Sequence, residues 1–78
     1  MFEETLRKAM DRILEELGQD PRLIYLYMHM AVELREATLT GDFKDMHIHI
    51  RAVRLLAKEM GATDAQLQLI LPQDFNGS

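Results

Sequence analysis

Three histidines and a row of bases have the widest chemical reach in this chain. His47 and His49 stand two apart, with His29 upstream, and imidazole is a common ligand for zinc-like metals. Two ligands on one helix need a spacing of three or four, because side chains two apart point about 200° away from each other. A helix here keeps His47 and His49 off a common ion; only an extended strand would put them on one face. Folding the chain about Gly41 places His29 nearest the level of Val53, not His47. The expectation is no metal and no cofactor, with His47 solvated and His29 and His49 bordering apolar contacts. A histidine at an interface would make association sensitive to pH. His29 and Glu33, four apart, could also pair as imidazole and carboxylate, an arrangement more often structural than catalytic.

Lys44, His47, Arg51, Arg54 and Lys58 recur at steps of three and four and form the one-sided charge feature of the sequence. Such a stripe could meet phosphates or an acidic partner. No aromatic residues are interleaved for base stacking, and the net charge of −4 disfavours nucleic-acid binding by the whole surface. An ordinary solvated face is the simpler outcome. Catalysis is not expected. There is no cysteine, the threonines Thr5, Thr38, Thr40 and Thr63 sit beside helix ends or on polar faces, and the four glycines are isolated breakers rather than a phosphate loop.

The elements that would carry these residues are helices. Phe2, Leu6, Ala9, Met10, Ile13, Leu14 and Leu17 form one stripe of a first helix, and Gly18 can end it in the left-handed conformation. Asp20-Pro21 restarts the chain as cap and first helical residue. The second helix runs to about Leu39. Its stripe of Leu23, Leu26, Tyr27, Met30, Leu34 and Ala37 faces a core, and Tyr25, Met28, Val32 and Leu39 form a second stripe roughly opposite. His29, Glu33 and Glu36 fill one gap between the stripes, and Arg35 sits in the other.

Gly41 ends this helix, and Asp42, with Asp45 three residues later, predicts a capped third helix over Phe43 to Met60. Phe43, Met46, Ile50, Val53, Ala57 and Met60 make its seam; Ile48, Ala52 and Leu55 lie on the far side. Thr63 with Gln66 predicts a capping box for a short fourth helix over Asp64 to about Ile70, stopped by Pro72. Two segments, Tyr25 to Met30 and Met46 to Ile50, also alternate with period two and could be strands in isolation. Their strongly helix-forming flanks favour helix.

The predicted fold is all-α: a small bundle of three main helices plus a short C-terminal helix, built on a central antiparallel hairpin with the first helix packed across it. Residues 1–72 form one domain and 73–78 a flexible tail, with Phe75 as its one anchor candidate. The opening Met1-Phe2-Glu3-Glu4 is unlike a signal peptide, and the longest apolar run is too short for a bilayer, so a cytoplasmic protein is expected. On that basis the acceptor pattern Asn76-Gly77-Ser78 is read as chance.

Glu33-Leu34-Arg35-Glu36-Ala37, the Gly41-Asp42-Phe43 turn and Arg54-Leu55-Leu56-Ala57-Lys58-Glu59-Met60-Gly61 together resemble the oligomerisation hairpin of phage terminase small subunits, over about half the chain. Tetratricopeptide-type hairpins use the same Gly-Asp turn. The resemblance implies a hairpin that assembles copies beside nucleic acid. The helix-turn-helix that precedes it in that family has no counterpart here, and no residue roles are carried over.

The most telling feature is the second helix, which is apolar on two sides. Such a helix must be covered on both, and a chain of 78 residues has little material to do so. The expected function is non-enzymatic: an adaptor, inhibitor or regulator that self-associates through Tyr25, Met28, Val32, Leu39, Ile48 and Leu55 and docks a protein client. The alternatives are a nucleic-acid-associated oligomer using the basic stripe, and a small metal- or ligand-binding helical protein. No membrane partner is expected. The methionines Met28, Met30, Met46 and Met60 suit adaptable packing, Met28 at the interface and Met30 and Met46 in the core.

Overall fold

A computed structural model describes residues 2–72 as four helices: α1 (Phe2–Glu16), α2 (Pro21–Thr40), α3 (Met46–Glu59) and α4 (Asp64–Ile70). The all-α expectation holds, and both period-two segments are helical. The expected tail, its Phe75 anchor and the Asn76-Gly77-Ser78 pattern lie outside the described residues. α2 and α3 form the central hairpin, and α2 also packs on α4.

The helix ends follow from their residues. α1 closes in a Schellman turn: Gly18 N–H donates to the Glu15 carbonyl and Gln19 N–H to the Leu14 carbonyl. This turn needs Gly18 at φ 65°, and it carries Gln19 into the left-handed region as well, at φ 54°. Asp20 then caps α2, its Oδ1 accepting from Arg22 N–H at 2.9 Å, with Pro21 in the first turn. Gly41, at φ 74°, ends α2 by donating to the Ala37 carbonyl. Thr63 and Gln66 form the expected capping box on α4.

α3 starts three residues later than the spacing predicts. Asp42 does not cap it: Asp42 Oδ1 accepts from Lys44 N–H, and Phe43 O accepts from Met46 N–H, so residues 42–46 form turns. Local side-chain capture of the backbone outcompetes helix here. Asp45 becomes the N-cap without using its side chain as a cap. Lys44 and Phe43 are therefore not helical, and Phe43 is 41% exposed instead of joining the seam.

The core is the α2 stripe of Leu23, Leu26, Met30 and Ala37 against the α3 seam of Met46, Ile50, Val53 and Ala57, sealed by Leu17, Leu67, Ile70 and Leu71. Among the described residues no polar or charged side chain is buried. Each fully buried aliphatic side chain contributes about 1.5–3 kcal/mol, so this cluster is the main stabilising feature. The first helix does not lie across the hairpin as expected. α1 reaches the core near its C-terminal end, through Ile13, and through Leu17 just beyond the helix. Its stripe residues Phe2, Leu6 and Met10 remain 79%, 50% and 54% exposed. One tie fixes the α1 end: Gln66 Nε2 donates to the Glu16 carbonyl at 3.1 Å.

Candidate functional site

Two features stand out on the hairpin. The first is apolar. The core stripe of α2 has its counterpart on the opposite side, where Tyr25, Met28, Val32 and Leu39 all point away from the core. On α3 the same holds for Ile48 and Leu55. All six side chains chosen as interface are between 52% and 74% exposed. The α1 stripe adds a second apolar surface that sequence reasoning missed. Its spacing resembles that of any core-facing helix, and only the direction in which α1 leaves Gly18 decides whether the chain covers it.

The second feature is polar and lies in the groove between the hairpin arms. His29 and Glu33 are one turn apart on α2, and His49 faces them from α3. His49 Nε2 and Glu33 Oε2 are 3.4 Å apart, and the rings of His29 and His49 have centroids 5.7 Å apart at a 52° tilt. All three side chains are half-buried. Toward the hairpin turn the groove deepens into a cleft of about 180 Å³ whose walls include Glu33, Glu36, Asp42, Asp45 and His49. Its lining contains no lysine or arginine. Chemically this is a cation-attracting pocket beside two imidazoles.

The sequence held the signal for this cluster. Folding about Gly41 places His29 level with Val53 and, in the same register, Glu33 level with His49. His29 then lies one helical turn from Glu33, within reach of the same imidazole. His47 is exposed on another side of α3, so it does not share a site with His49, as the helical geometry requires.

Of the basic stripe, His47, Arg51 and Lys58 are exposed on α3, Arg54 is half-buried, and Lys44 lies in the turn ahead of the helix. The stripe is therefore shorter on the helix than its spacing suggests. By the 100° step, the four that lie on the helix sit on the flank of α3 away from His49 and the acidic cleft.

Among the described residues, the one resolved perturbation of a carboxylate is structural. Hydrogen bonds from the Arg22 side chain, reinforced by the Arg22 backbone N–H, hold Asp20 below its ordinary value. Among the described residues no helix is long and apolar enough to cross a membrane. No family model, curated protein or solved structure matches the chain.

Proposed function

We propose that this is a non-enzymatic helical interaction protein, an adaptor, inhibitor or regulator that self-associates through the outer faces of its hairpin and presents helical surface to a protein client. One observation carries the reading: Tyr25, Met28, Val32, Leu39, Ile48 and Leu55 are all more than half exposed on the two helices of the central hairpin. Large apolar side chains left exposed in this number on a small domain mark places where another chain sits. A second copy is the simplest cover, because a two-fold interface uses the same patch on both partners. The α1 stripe of Phe2, Leu6 and Met10 is the surface for the client, as amphipathic helices dock through side chains at this spacing.

Light scattering on the purified chain tests the reading. The native chain should have a mass that is a multiple of 9.1 kDa. Val32→Glu with Leu55→Glu should reduce it to a single copy while helicity is retained. Leu6→Glu should leave the mass unchanged and lose the client. Loss of association with Leu6→Glu alone would move the interface to α1. Were a nucleic acid the partner, held by Lys44, His47, Arg51, Arg54 and Lys58, its binding would weaken steeply with salt; apolar docking would not.

A further inference from the structure

We propose that His29, Glu33 and His49 form a binding site for a divalent transition-metal ion of the zinc class. This goes beyond the interaction reading and is independent of it, since all three ligands belong to one copy. It also reverses the expectation of a metal-free chain, which rested on His47 sharing a face with neither His49 nor His29.

The geometry is close to what such an ion needs. One ligand atom from each residue falls within a group spanning no more than 4.8 Å. Zinc binds nitrogen and carboxylate oxygen at about 2.0–2.1 Å, which places two tetrahedral ligands about 3.3 Å apart. The 3.4 Å between His49 Nε2 and Glu33 Oε2 already matches that edge. His29 and Glu33 occupy positions i and i+4 of α2, a spacing that puts two ligands on one helix face. His49 closes the set from α3. Each ligand therefore stands on a helix whose core face is packed, and sites on helices hold their geometry better than sites on loops.

The surroundings favour a cation and leave it a way in. The ligands are half-buried, so the attraction is less screened than in bulk water while the groove stays open. The adjoining cleft adds Glu36, Asp42 and Asp45 to its walls. Asp45 in particular is not tied up as a side-chain cap. Two imidazoles select against calcium and magnesium, which prefer all-oxygen sites, and for zinc, cobalt or nickel. Three protein ligands leave one tetrahedral position for water or a ligand from outside the chain. Imidazoles must be unprotonated to bind the metal, so acid competes with it.

Without a metal, the same residues would be a plain Glu33–His49 side-chain contact with a neighbouring ring. Titration of the purified chain with Co²⁺, followed by visible absorption, and with Zn²⁺, followed by heat, separates the two. The expected result is one ion per chain and intense cobalt bands of a tetrahedral site. His49→Ala and Glu33→Gln should each weaken binding at least about tenfold, and His47→Ala should not change it. Circular dichroism checks the fold of each variant. If His49→Ala fails to fold, the near-isosteric Glu33→Gln and the ring NMR signals of the native chain still decide: zinc should shift His29 and His49 but not His47. Absence of cobalt bands, equal weakening by His47→Ala, or zinc shifts at all three rings would overturn the proposal.

Discussion

Gln19 and Asp20 show how much of this fold rests on single residues between helices. Gln19 is a non-glycine residue in the left-handed region, a conformation costing about 1–2 kcal/mol for a side chain with a Cβ. Glycine removes that strain but adds about 0.4–1 kcal/mol of unfolded-chain entropy. Gln19→Gly should therefore stabilise the chain by roughly 0.5–1 kcal/mol in urea melts. Asp20 has a folded value below its unfolded one, set first by the Arg22 side chain. Its contribution is fully present above the ordinary carboxylate range and is lost as pH falls through the folded value. Asp20→Asn keeps a cap acceptor but cannot titrate, so melts at neutral pH and at about pH 3 should differ less for the variant than for the native chain. An unchanged pH dependence would remove the Asp20–Arg22 pair from the account. At this scale the caps were legible, because Asp20-Pro21 and Thr63 with Gln66 act within four residues. Asp42 was not, because Lys44 N–H competes for the same carboxylate and no spacing rule ranks the two.

Helix types and periodicities were readable from the chain; the placement of α1 was not. Core stripes on α2 and α3 fall where the spacing puts them, with Leu23, Leu26, Met30 and Ala37 against Met46, Ile50, Val53 and Ala57. For α1 the pattern shows an apolar face and nothing about what that face meets. Its orientation depends on the Gly18–Gln19 turn and on the Gln66 bond to the Glu16 carbonyl. Gln66→Glu isolates that tie, since glutamate also completes a capping box with Thr63 but has no N–H to donate. The variant should keep α4 helical and cost about 1 kcal/mol, with faster amide exchange in the last turn of α1. Unaltered exchange there would mean that Leu17, not Gln66, holds the end of the helix. The metal cluster belongs to this scale too, since His29 and His49 are 20 residues apart in the chain and meet only through the register of α2 on α3.

The whole molecule has more apolar surface than its own helices cover. α2 packs against α3 on one side and α4 on another, yet Tyr25, Met28, Val32 and Leu39 remain outside both contacts. α1 contributes Phe2, Leu6 and Met10 to the same excess. A domain of this size has a small stability margin, so burying the outer stripes of the hairpin in a second copy would add materially to it. Thermal stability should then rise with protein concentration, which an isolated monomer does not show.

Sedimentation equilibrium of the native chain beside the Val32→Glu, Leu55→Glu double variant tests self-association most directly. The native chain should run as a dimer or larger, and the variant as a single helical copy of 9.1 kDa. A native chain that stays at 9.1 kDa at high micromolar concentration, with helicity and melting unaffected by dilution, would contradict the account.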